Sequence, residues 1–142
     1  MKINEIQDAI AAEFSEFEDW LDKYEYLIKL ADNFEPMEEK YKTEKNLIRG
    51  CQSELWLYGK CEDGRMEFYA DSSALITRGI VSLILRVLNH QPPGDIAESD
   101  LYFIDSIGLK SNLSPARSNG VSSIIERIKQ SSMLAMNKCR PG

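Results

Sequence analysis

The sequence predicts an α+β fold in which a small antiparallel sheet of about three strands is packed with helices. Three observations lead there. Apolar residues recur at three- and four-residue spacing near both ends of the chain, the helical period. A period-two alternation fills the middle, on either side of Asp63-Gly64. An almost wholly apolar helical stretch, Ala74 to Leu88, comes next and needs a sheet to bury it. The 142 residues read as one domain, 1–142, large enough to bury a core without disulfides or metal.

Helix is expected over the first 32 residues. Ile3, Ile6 and Ile10 share one face, and Phe17, Trp20, Leu21, Tyr24, Leu27, Ile28 and Ala31 form a second stripe. Ser15, with Glu18 three residues on, fits a capping box for the second helix. An acidic connector containing Pro36 runs to about Thr43. Leu55 and Leu57 then alternate with Trp56 and Tyr58, and Met66, Phe68 and Ala70 with Glu67 and Tyr69, with Asp63-Gly64 as the hairpin turn. A short strand near Leu47-Ile48 is expected beside them.

Asp71-Ser72-Ser73 reads as a capping cluster for the central helix, Ala74 to Leu88. Only Arg78, Ser82 and Arg86 offer that helix a polar stripe. Gly79 costs it about 1 kcal/mol relative to alanine, which points to another backbone passing close by. Pro92-Pro93-Gly94 ends the segment, and Asp95 to Ser99 suggests a short helix. Leu101 to Ile104 is apolar without a clear period. Ser114-Pro115 opens a last helix whose buried face is Val121, Ile124, Ile125 and Ile128.

The formal net charge of -6 argues against nucleic acid as a partner, because phosphate binding needs clustered Lys and Arg. Charge is nevertheless uneven, -7 over residues 1–45 and +5 over residues 110–142. That asymmetry fits either steering of a protein partner or solvated terminal helices lying near each other. The longest apolar run, Ile80 to Leu88, is interrupted by Ser82 and Arg86 and is too short to span a membrane. The acidic N-terminal region does not read as a signal peptide, so a complete, cytoplasmic chain is expected. No P-loop, GxGxxG, GxSxG or HExxH pattern is present.

The residues that carry chemistry centre on Cys51, which stands beside Gly50 between an apolar run and a strand-like run. An ordinary thiol is only a few per cent thiolate at neutral pH, and nearby positive charge or backbone N–H groups raise that fraction. Arg49 is two residues away, and Gly50 permits a tight turn. On these residues alone a reactive thiol and a buried structural one remain equally open. Cys61 and Cys139, the other two cysteines, form no CxxC pair and no ligand spacing with Cys51, so no metal site is expected. Arg117 falls in the first turn of the last helix, where the helix dipole disfavours a cation. It calls for a compensating carboxylate or a task needing positive charge, the alternative being a solvated side chain. His90, the only histidine, is read as a capping or exposed residue.

Taken together, Tyr24-Glu-Tyr-Leu-Ile28, Gly50-Cys-Gln-Ser53 with Trp56, Asp71-Ser72 before Ile80 to Leu88, and Leu113-Ser-Pro-Ala-Arg117-Ser-Asn-Gly120 resemble the SufE family. Its members are the sulfur acceptors of cysteine desulfurases, and the likeness spans roughly residues 15 to 130. The resemblance implies a fold like that of the IscU-type iron–sulfur scaffolds. It implies that Cys51 takes sulfane sulfur from a desulfurase persulfide, stimulates that enzyme, and passes sulfur to a SufBCD-type assembly scaffold. The partner would be SufS-like or CsdA-like, with pyridoxal phosphate on the partner and no cofactor on this chain. The chain would then be a sulfur-transfer accessory protein rather than a stand-alone enzyme.

By the same resemblance, Arg117 supports the cysteine loop or partner docking, and Gly50 and Gln52 shape the loop. The family places its cysteine over an apolar cavity, for which Leu47, Ile48, Leu55 and Leu57 are candidate walls. Glu54 departs from the neutral or basic residue often found there, and Cys61 and Cys139 are extra thiols. The alternative is an iron–sulfur or zinc-binding scaffold of the related fold, which would use a thiolate-rich shell.

Overall fold

The computed structural model describes residues 2–49 and 53–137. The first helix, α1 (Ile3–Ser15), starts where the Glu5 carboxylate turns back to accept the Lys2 N–H at 3.0 Å. It buries Ile3, Gln7, Ile10 and Phe14. Gln7 is wholly enclosed and fully used. Its amide donates to the Asp100 carbonyl at 2.9 Å and Asn4 Oδ1 at 3.1 Å, and its oxygen accepts the Phe103 N–H at 3.1 Å. A buried amide satisfied in this way fixes α1 against the later chain.

The second helix, α2 (Trp20–Asp32), is capped by Asp19, whose side chain accepts the Asp22 N–H at 3.0 Å. The expected Ser15 cap is therefore wrong: Ser15 closes α1, and its hydroxyl donates to the Ala12 carbonyl at 2.7 Å. Aromatic packing decides the position of the break. Phe17 turns in between the helices to meet Phe14 and Tyr26, at ring separations of 5.8 and 5.2 Å.

Two single 3₁₀ turns, Glu39–Tyr41 and Glu44–Asn46, lead to the hairpin β1 (Leu55–Glu62) and β2 (Arg65–Ser72). Asp63 and Gly64 have φ of 54° and 79°, the consecutive left-handed pair of a type I′ turn. Register runs from Leu55↔Ser72 to Glu62↔Arg65. Leu55, Leu57, Met66, Phe68 and Ala70 face the core, while Trp56, Tyr58 and Tyr69 lie on the opposite face. There Tyr41 stacks on Tyr58 at 4.2 Å. The expected third strand is present only as one bridge, Leu47↔Trp56, with the Ile48 N–H donating to the Leu55 carbonyl at 2.8 Å.

The central helix, α3 (Leu75–Leu88), packs on α1, α2, β2 and the last helix. Its N-cap, Ala74, offers no side-chain cap, so the Asp71-Ser72-Ser73 cluster is not the helix cap read from the sequence. Asp71 and Ser72 instead end β2. Three short helices follow: α4 (Pro93–Glu98), α5 (Phe103–Ser106) and α6 (Leu109–Asn112). The last, α7 (Pro115–Ala135), starts as expected, with Ser114 Oγ accepting the Arg117 N–H at 3.3 Å. Val121, Ile124 and Ile128 are buried against β1, α3 and α4, with Ile125 half-buried. Among the described residues no helix is long and apolar enough to cross a membrane.

One ion pair crosses the helical layer with good geometry. Arg86 of α3 grips Glu13 of α1 through two 2.9 Å bonds. The Arg86 hydrogen bond holds the Glu13 carboxyl below its usual value of 4.5. Its stabilisation is thus complete above the unfolded carboxylate pKa and is lost as pH falls from about 4.5 through the lower folded value. The pair is more than a third exposed, so the gain is on the order of a few tenths of a kcal/mol. The urea midpoint of Glu13→Gln should lie below that of the parent at pH 6 and converge with it by pH 3. A gap that persists at pH 3 would show that the effect is not the ion pair.

Candidate functional site

Gly50, Cys51 and Gln52 lie outside the described residues, so the site is built from what flanks them. On the upstream side, Leu47 and Ile48 are joined to β1 by the bridge to Trp56 and the bond to Leu55. Arg127, from the middle of α7, reaches the same segment. Its guanidinium donates to the carbonyls of Lys45 at 3.4 Å and Leu47 at 3.5 Å. Arg49 pairs with Glu44 at 2.7 Å on the surface.

On the downstream side, Glu54 is fastened by three bonds to the chain that enters α3. Its N–H donates to Ser73 Oγ at 3.1 Å, and its carbonyl accepts from Ser72 Oγ at 2.7 Å and the Ser73 N–H at 3.0 Å. Ser72 Oγ also accepts the Ala74 N–H at 3.2 Å. The serines read as a helix cap therefore hold the far end of the cysteine segment. The described residues on both sides of 50–52 are thus fixed to the fold.

Three cations, Lys42, Arg78 and Arg117, lie near the start of α3. Asp71 is nearly buried, with Lys42 Nζ at 3.1 Å and Arg78 Nε at 3.3 Å. Arg78 Nε makes no hydrogen bond, so its contact with Asp71 is purely electrostatic. The Lys42–Asp71 hydrogen bond raises the pKa of Lys42, which also sits 5.2 Å from the Trp56 ring. Arg117 Nη1 donates to Thr77 Oγ1 at 3.3 Å, linking the first turns of α7 and α3. Among the described residues Arg117 meets no carboxylate, so the compensation that the helix dipole calls for is absent.

Of the candidate wall residues, Ile48, Leu55 and Leu57 are buried in the core and Leu47 is half-buried. His90 is exposed beyond α3, with φ of 66°, and its carbonyl accepts from Arg65, as expected of a surface residue. Cys61 faces inward at the hairpin end of β1 and is disulfide-bonded. Cys139 lies outside the described residues. Among the described residues no three His, Cys, Asp or Glu side chains gather as a metal-ligand group.

Arg127 is not singled out by the sequence, and Ser72 is read there as part of a helix-capping cluster and of the family motif. Arg127 lies about 80 residues from the carbonyls it binds, and no local pattern announces such a contact. Ser72 stands in a conspicuous polar cluster, which was visible but pointed to the wrong task.

Comparison with known proteins places this geometry. Residues 8–132 match the family described as "SufE: Fe-S metabolism associated domain". The cysteine desulfuration protein SufE of Wigglesworthia glossinidia brevipalpis is 34% identical over 139 residues, covering 96% of this chain and 93% of that protein. The sulfur acceptor protein CsdE of Escherichia coli is 32% identical over 117 residues, covering 81% and 80%. An uncharacterized SufE-like protein of Rhizobium etli is 38% identical over 128 residues, covering 87% and 86%. A solution structure of a hypothetical protein from Thermus thermophilus superposes with a TM-score of 0.77 at 19% identity, covering 96% and 99%, which shows a shared fold.

Proposed function

Since this chain belongs to the SufE family, we propose that it is a sulfur acceptor of iron–sulfur metabolism in which Cys51 receives sulfane sulfur from a cysteine desulfurase. The observation that carries this reading is the two-sided clamp. Leu47 and Ile48 are tied to β1 and Arg127, and Glu54 to Ser72 and Ser73, so a short segment bearing one cysteine is braced at both ends. A thiol that must enter another protein's active site benefits from such a brace, because less freedom is lost on docking.

In the transfer step the Cys51 thiolate attacks the outer sulfur of the desulfurase persulfide. A sulfur–sulfur bond forms to Cys51 as the bond within the partner's persulfide breaks. The partner cysteine leaves as a thiolate, and the persulfide proton stays on the transferred sulfur. No net oxidation or reduction occurs, and the chemistry parallels thiol–disulfide exchange. Glu54 is tied at the entrance to α3, where the first-turn N–H groups and Arg117 supply positive charge, while Lys42 and Arg78 are partly neutralised by Asp71. Such surroundings favour thiolate over thiol and stabilise the thiolate-like transition state.

Arg117 acts in this reading as a loop support or docking residue, and Gly50 and Gln52 shape the segment. The desulfurase is of SufS or CsdA type and carries pyridoxal phosphate. It turns over faster once its persulfide is cleared, and the sulfur passes onward to a SufBCD-type scaffold. The test is a steady-state assay of such a desulfurase with cysteine, with and without this protein. Cysteine consumption should rise in a saturable way as the protein is added. A rate independent of its concentration, for both desulfurase types, contradicts the proposal.

A further inference from the structure

The two arms of the cysteine segment are held unequally. The downstream arm has three bonds from Glu54 to Ser72 and Ser73. The upstream arm meets the sheet through one bridge, Leu47↔Trp56, and one bond, from the Ile48 N–H to the Leu55 carbonyl at 2.8 Å. Its other main-chain bond, from the Leu47 N–H to the Glu44 carbonyl at 3.3 Å, only closes the preceding 3₁₀ turn. Pairing that stops after one bridge leaves carbonyls in need of other donors. Arg127 serves two of them, those of Lys45 at 3.4 Å and Leu47 at 3.5 Å.

Nothing else among the described residues engages this guanidinium. It meets no carboxylate there, so its charge is not spent on an ion pair. Its backbone is fixed, because Ile124 and Ile128 of the same helix are wholly buried and a closely packed core resists their displacement. A planar guanidinium presents a fork of donors that spans two carbonyls, whereas an ammonium is a single point charge. The same helix also reaches the other arm, less directly. Arg117 bonds Thr77 in the first turn of α3, and the chain entering α3 carries Ser72 and Ser73. Arg117 and Arg127 stand about 15 Å apart along α7, at about 1.5 Å per residue. One rigid helix therefore braces both arms, and Arg127 is its contact with the weaker one.

We propose that Arg127 is a positioning residue for sulfur transfer, an inference that rests on the sulfur-acceptor reading above. It acts through the Lys45 and Leu47 carbonyls, holding the upstream arm so that less freedom is lost when the segment docks on the desulfurase. Once docked, the segment is held by the partner as well. Loss of Arg127 therefore weakens productive association and spares the rate at saturation.

The test compares the full chain with Arg127→Ala and Arg127→Lys, by amide exchange on the free proteins and by titration into a desulfurase assay. In Arg127→Ala, exchange of the Leu47 and Ile48 amides should quicken about fivefold or more, while the Glu54 and Ser73 amides keep the parental rates. The concentration giving half-maximal stimulation should rise about fivefold, with the saturated rate within about twofold of the parent. Arg127→Lys keeps the charge but not the fork, and should fall between the two in both measurements. Unchanged exchange at Leu47 and Ile48 overturns the proposal, as does a parental half-saturating concentration. Faster exchange on both arms with a lower saturated rate also overturns it, because the effect is then general loss of stability. A parent that gives no stimulation sinks the sulfur-acceptor reading and the positioning role with it, while the exchange rates still report whether Arg127 holds the arm.

Discussion

Replacing Gly79 with alanine is expected to destabilise the protein by about 1–3 kcal/mol, although the same change in an open helix stabilises by about 1 kcal/mol. The sign reverses because α2 crosses α3 at this position. A Cβ on residue 79 would stand 2.2 Å from the Leu27 carbonyl oxygen and 2.8 Å from its carbonyl carbon. These are backbone atoms and cannot rotate aside, so the two helices must separate. Leu27, Ile80 and Leu83 are wholly or almost wholly buried in that contact region, and separation loosens them together. Thermal unfolding should drop by roughly 3–10 °C. An unchanged or raised midpoint would mean that the close approach does not exist in solution.

Replacing Cys51 with serine is expected to return desulfurase turnover to the rate of the enzyme alone while leaving stability and docking intact. A hydroxyl is far less nucleophilic than a thiolate near neutral pH and forms no persulfide, so the acceptor chemistry is removed outright. The brace on either side uses Leu47, Ile48, Glu54, Ser72, Ser73 and Arg127, none of which changes. The variant should therefore compete with the parent for the desulfurase at a similar concentration. Loss of competition together with turnover would indicate damage to the surface rather than to the chemistry. Retention of stimulation would place the acceptor elsewhere.

Much of the architecture was legible because it rests on local rules. Asp63-Gly64 set the hairpin turn and with it the register, since a two-residue type I′ loop allows no other. Ser114-Pro115 marked the start of α7, and Gly79 in an apolar helix announced a close backbone neighbour. The errors fall where tertiary contacts choose between equal local options. Ser15 and Asp19 are both competent caps, and the packing of Phe17 against Phe14 and Tyr26 selects Asp19. Leu47 and Ile48 have strand-like residues, yet Arg127 takes the Leu47 carbonyl and pairing stops after one bridge. The serines ahead of α3 look like caps because hydroxyls bind N–H groups wherever one is near, and here the one offered to Ser73 belongs to Glu54. For the site, Cys51 and Arg117 were visible in the sequence as motifs, whereas the brace built from Ser72 and Arg127 needed the fold.

The most direct test of the central claim is the mass of the peptide containing Cys51 after incubation with a cysteine desulfurase and cysteine, without reductant. The account predicts a gain of about 32 Da, one sulfur atom, on Cys51, removed by reductant and absent in the Cys51→Ser variant. An unmodified Cys51 beside a desulfurase that is turning over would contradict it.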